Sequence, residues 1–396
     1  MRERQPLSNG RQKEHAAGSV QRVPRQGWRQ SRRYGVGFLL LMVLLSGVFF
    51  GWRGLLSRDQ PAAPPNTASL LMQGAFHGYP FPRLDTQPMR PAIDHQGRIW
   101  FGAMGQNALV VFDPRTQVFH YLIPPHGHSG VMGVQVAPDD TIWFAEQFAN
   151  YLGHYFPATG RYALYPLPWL TVPDPTHAGQ MDSLPSAPNE LVLDAHGVVW
   201  FTEFNADRLG RLDPVTGLLR SYPLAAHASI QTLYPYGITI DPSGMLWFTE
   251  AGTNRLGRLN PTTGAMRFFT APVSQAFLME IASDAQGTIW VTSFTPGLLF
   301  CLHPARGTFT SYLAPVQGGT RSTLYGLLVI PSGTVWVTML EANAVARLNI
   351  ATRRFLPYPL PTPGMQPLGL VMDASQTLWF TGINAIGMVR PAKNNE

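Results

Sequence analysis

Four histidines stand in loop-like phrases where an imidazole could move a proton or ligate a metal: His126 and His128 in PHGHS, His177 in PTHAG and His227 in AAHAS. Three glutamates share a second pattern, each three residues after a tryptophan: Glu146, Glu203 and Glu250. One such carboxylate alone would suggest catalysis. Three in the same phrase indicate hydrogen bonding repeated with the scaffold. The histidines do not repeat in this way. His126, His128 and His227 are therefore the candidate catalytic residues, and His126, His128 and His177 the candidate metal ligands. Ordinary solvated loop histidines are the plain alternative.

The elements that position these residues are written in the tryptophans. Trp100, Trp143, Trp200, Trp247, Trp290, Trp336 and Trp379 close nearly identical phrases such as GRIW, GMLW and GTVW, at gaps of 43, 57, 47, 43, 46 and 43 residues. A period near 45 with one tryptophan per unit is the signature of a β-propeller, whose blades are four-stranded sheets of about that length. Residues 234–272 show the grammar: an inner strand YGITI, a turn DPSG, a Trp strand MLWFTE, a third strand RLGRLN, the hairpin signal NPTTG and an outer strand AMRFFT. Pro presets the first corner of such a turn and Gly takes the positive φ of its exit. Asn107, Asn150, Asp207, Asn254 and Asn343, seven residues after their Trp, read as turn formers. The expected fold is all-β, a seven-bladed propeller over residues 75–391.

After Trp379 the chain holds a third strand but no fourth. The missing outer phrase occurs at the other end, as AFHGYPFP at 75–82, so this N-terminal strand is expected to close the ring and pair an otherwise open edge.

A repeat also marks its own exceptions. Ten residues before the Trp, four blades place glycine, whereas the others place Arg90, Glu190 and Glu280; one position earlier stand Met89, Met132, Asn189, Tyr236, Met279, Tyr325 and Leu368. These positions open the inner strands and are expected to line the axial mouth. Arg90, Asn189, Glu190, Tyr236, Glu280 and Tyr325 are the candidate ligand-binding residues, in an amphipathic setting suited to a small molecule, glycan or peptide. The wide gap before Trp200 adds the segment WLTVPDPTHAGQMDSLPSAP, which reads as a lid over that mouth.

The net charge of +6 is unevenly spread: residues 1–58 carry 11 of the 29 basic side chains and only 2 of the 23 acids. The propeller itself is slightly acidic, which argues against nucleic acid as a partner. The basic leader (1–34) precedes an uncharged stretch, Gly35 to Trp52, within an expected transmembrane signal-anchor helix at 35–54. By the positive-inside rule the N-terminus is cytoplasmic and the propeller extracytoplasmic on a single-pass membrane protein; secretion after signal cleavage is the alternative. Residues 55–74 are a Pro- and Ala-rich tether and 392–396 a tail. The lone Cys301 excludes an intramolecular disulfide, and the propeller is expected to be a monomer.

The phrases YPYGIT, LWFTEAGTNRLGRL and YPLP resemble the virginiamycin B lyase (streptogramin B lyase) family, across residues 75–391. The resemblance implies a seven-bladed propeller and a magnesium-dependent carbon–oxygen lyase that opens a cyclic depsipeptide antibiotic by elimination across its ester. In that family two histidines opening inner strands, in Pro-His-Gly-Ile or Pro-His-Ala phrases, supply the base and its partner. Here the last two blades read Leu-Tyr325-Gly and Pro-Leu368-Gly, and no blade has histidine at that position; Tyr236 does match the family's Pro-Tyr-Gly-Ile tyrosine. Two functions are carried forward. One is a membrane-tethered lyase-like propeller that binds its ligand at the axial mouth. The other is a Mg2+-dependent lyase with a relocated His/Glu site.

Overall fold

Each Trp phrase lies on the second strand of a four-stranded antiparallel sheet in the computed structural model. The structure describes residues 75–173, 177, 179–224, 233–295, 297–317 and 320–391. The basic leader, the apolar anchor and the tether lie outside the described residues. Among the described residues no helix is long and apolar enough to cross a membrane. Seven four-stranded sheets follow one another as blades one to seven, their inner strands packed in succession and that of blade seven against that of blade one. Blade four consists of Pro235–Ile240, Leu246–Glu250, Arg255–Leu259 and Met266–Thr270, as its repeat grammar predicts.

The recurring residues have separable jobs. In five blades the indole N–H donates to an aspartate six residues earlier, as in Trp247 Nε1 to Asp241 Oδ2 at 2.8 Å. Blade six has Ile330 in the aspartate's place, and among the described residues the Trp336 N–H has no partner. The Asn and Asp residues seven after the Trp have positive φ, from 46° to 64°, as turn formers. In blades two, three, four and seven a Phe ring lies across a facing glycine. A Cβ added at Gly257 would meet Phe248 at 1.9 Å, with the ring fully buried. Gly257→Ala is therefore expected to lower stability by about 1–3 kcal/mol, measurable by denaturant unfolding.

The ring closes as expected. Ala75–Pro80 runs antiparallel to Ala385–Arg390 and completes blade seven. Its rings also reach blade one: Tyr79 lies 4.8 Å from Phe112, and Phe81 5.7 Å from Phe101. The segment after blade two forms a hairpin, Leu170–Pro173 against Met181–Leu184, which leaves Trp169 and Met181 exposed. Cys301 is buried in blade five, where desolvation raises its thiol to about 12.

Candidate functional site

The inner strands enter their sheets through a register shift, seen in blades two to seven. Such a bulge takes the residue ten before the Trp out of the ladder and needs another acceptor for its N–H. A threonine two after the Trp supplies it: Glu190 N donates to Thr202 Oγ1 at 3.1 Å and Glu280 N to Thr292 Oγ1 at 3.2 Å. The same hydroxyl donates onward to the next blade, Thr202 to the Tyr236 carbonyl at 2.9 Å and Thr292 to the Tyr325 carbonyl at 2.7 Å. In blades three, four, five and seven this hydroxyl thus holds the backbone of the next blade's mouth residue.

The six candidate mouth residues cluster together, joined by several separate polar contacts. Arg90 Nη1 lies 3.4 Å from Glu280 Oε2, and the Tyr236 and Tyr325 hydroxyls are 2.5 Å apart. Asn189 Nδ2 donates to the Tyr236 carbonyl at 3.4 Å and its Oδ1 accepts from Gln147 Nε2 at 3.1 Å. Glu190 is 5% exposed and Glu280 2% exposed. Burial raises both carboxyls above the usual range; Glu280 raises Glu190 further, and Arg90 opposes the shift in both. Burial likewise raises both tyrosines, so their hydroxyls stay protonated at neutral pH. Two acids share one guanidinium, and only Glu280 touches it.

The histidines separate. His126 Nδ1 lies 3.2 Å from Glu146 Oε2, with its ring stacked on Tyr151 at 4.0 Å. His128 stacks on Phe148, and His177 is exposed at the turn of the hairpin. His227 lies outside the described residues. Among the described residues no three His, Cys, Asp or Glu side chains gather as metal ligands.

The scaffold reading of the three glutamates needs refinement. Glu203 and Glu250 each pair at 2.8 Å with an arginine at the facing position of the third strand, Arg208 and Arg255. In blade two that position is Tyr151, and Glu146, fully buried, has His126 instead of a permanent cation. Desolvation pushes Glu146 up to about 7 and lowers His126. Sequence reasoning grouped Glu146 with the other two. The signal that separates it is five residues downstream, where Tyr151 replaces Arg.

The opposite end of the axis opens into a hollow between the first turns of blades one, two, three and seven. His154 lies there flat on Trp143 at 3.9 Å, and burial lowers it to about 4, so it is neutral at physiological pH.

A seven-bladed ring with a polar axial mouth on the blade-to-blade loop side is the class of protein these features define. The virginiamycin B lyase family model matches residues 170–299. A streptogramin B lyase structure aligns at 24% identity and TM-score 0.70, over 81% of this chain and 99% of that one. Virginiamycin B lyase from Staphylococcus aureus aligns at 22% identity and TM-score 0.69, over 80% and 99%. The extracellular domain of a one component system from B. thetaiotaomicron aligns at 15% identity and TM-score 0.60, over 80% of this chain and 40% of that one. No curated protein matches. The chain is a virginiamycin B lyase-like seven-bladed β-propeller; at these identities the solved structures establish its fold.

Proposed function

We propose that this is a membrane-tethered, extracytoplasmic binding propeller that takes a small molecule, glycan or peptide at its axial mouth. The observation that carries the reading is the convergence of Arg90, Asn189, Glu190, Tyr236, Glu280 and Tyr325, polar residues of the inner-strand entrances, into one largely buried cluster. Scaffold roles recur in most blades, whereas Glu and Tyr each hold these positions in only two blades and Arg and Asn in one. The basic leader ahead of the uncharged stretch supports a cytoplasmic N-terminus. The fold shared with extracellular domains of B. thetaiotaomicron sensor proteins agrees with placement outside the cell. Protease added to intact cells should remove the propeller and spare the first 34 residues. A soluble mature protein beginning after about residue 60 would replace the anchor with a cleaved signal.

The His126–Glu146 pair favours a second reading, the relocated-site lyase. A carboxylate on Nδ1 orients an imidazole and leaves Nε2 to accept a proton. The donors do not fit the Mg2+ that the family resemblance implies. Magnesium takes oxygen ligands, and the pair offers one carboxylate and one imidazole. The binding reading predicts that a streptogramin B antibiotic is recovered intact after incubation with the protein and magnesium. Turnover abolished by EDTA and by His126→Ala, His128→Ala or His227→Ala would establish the lyase instead.

A further inference from the structure

We infer that the mouth selects a monovalent organic cation, an ammonium or guanidinium, seated at Glu190 beside Glu280. This rests on the mouth-binding reading and adds the ligand's charge.

Charge balance at the mouth leads there. Glu190 and Glu280 come from blades three and five, and Arg90 from blade one reaches only Glu280, through one contact at 3.4 Å with its own side chain 30% exposed. Among the described residues nothing pairs with the Glu190 carboxyl, though it is 95% removed from solvent. Elsewhere the chain answers a buried carboxylate with a guanidinium, Arg208 for Glu203 and Arg255 for Glu250. The side chain that would crowd Glu190 is missing: a Cβ at Gly133 would stand 3.1 Å from Glu190 Oε2. The titratable and charged groups facing Glu190 are Arg90, Glu280, Tyr236 and Tyr325. Tyrosine rings and carboxylates together recognise ammonium and guanidinium groups. Met132 and Met279, one position before Gly133 and Glu280, are buried and back the two entrances with apolar packing.

Burial and the neighbouring Glu280 favour a proton on Glu190 in the free protein. An incoming cation displaces it, and the proton passes to buffer.

Isothermal titration of the detergent-solubilised full chain at pH 7 with butylguanidinium, butylammonium, butanol and butyrate tests this. The two cations should saturate one site, with heats that depend on the buffer's ionisation enthalpy because a proton is released. Glu190→Gln should weaken them about tenfold or more. Arg90→Gln, which removes the competing cation, should tighten them. Cations that bind no better than butanol, or equally well to Glu190→Gln, overturn the inference. Butanol or butyrate bound in a manner sensitive to Arg90→Gln or Tyr325→Phe would end it while leaving the mouth as the binding site. Indifference of every probe to all three substitutions would end both.

Discussion

A chain beginning at Arg83 is expected to collect in the insoluble fraction, whereas one beginning at Leu70 stays soluble and unfolds cooperatively. The difference is the strand Ala75–Pro80. Without it, Ala385–Arg390 presents a bare edge with alternate apolar side chains, a template for pairing with another molecule. The loss is also energetic. Phe76, Tyr79 and Phe81 are each partly buried, against Phe380, against Trp379 and Phe112, and against Phe101 and Phe119. Removing them forfeits on the order of 5 kcal/mol of apolar burial. That is comparable with the whole stability of many domains, about 5–15 kcal/mol. Equal solubility and equal melting of the two variants would show that the ring closes by other means.

Glu203→Gln and Glu146→Gln should shift stability in opposite directions at pH 8. Burial raises Glu203 as well, but Arg208 opposes that shift, and Glu203→Gln leaves the Arg208 guanidinium, 18% exposed, without its carboxylate, at a cost of about 2–3 kcal/mol. Glu146→Gln strands no permanent cation. It also removes a buried carboxyl whose native pKa, about 7, lies above its unfolded value of 4.5. Such a group favours the folded state while protonated, and the wild type loses that contribution as pH rises from 4.5 to 7. The Gln variant should therefore gain on the order of 3 kcal/mol over wild type at pH 8, and the gain should shrink toward pH 5. At pH 8 His126 is neutral in both states and drops out of the comparison. Thermal unfolding at the two pH values reads the signs. Destabilisation by Glu146→Gln at pH 8 would mean that the carboxylate is held ionised by a partner.

The fold was legible because the features that build it repeat. Trp phrases, Gly-ended hairpins and positive-φ Asn residues each occur several times, so the periodicity carried both the blade count and the fourth strand borrowed from the N-terminus. The mouth was legible for the converse reason, since Arg90, Glu190 and Glu280 interrupt a run of glycines. The His126–Glu146 contact was not. It joins a loop to a strand end twenty residues away and depends on loop conformation, which no period encodes. The Glu–Arg pairs were hidden more lightly: their five-residue spacing follows from hairpin register, but the Glu phrase drew notice before its partner did.

The threonine relay has a consequence for divergence. The threonine bonds that join blade three to four, four to five, five to six and seven to one end on carbonyl oxygens, those of Tyr236, Met279, Tyr325 and Met89. The side chain of the accepting mouth residue does not enter them. A mouth residue can be exchanged while the relay behind it stays intact, so the vocabulary of recognition is free to drift on a frame that does not notice. A lyase and a binding protein can then share one ring and differ only in the letters facing its axis.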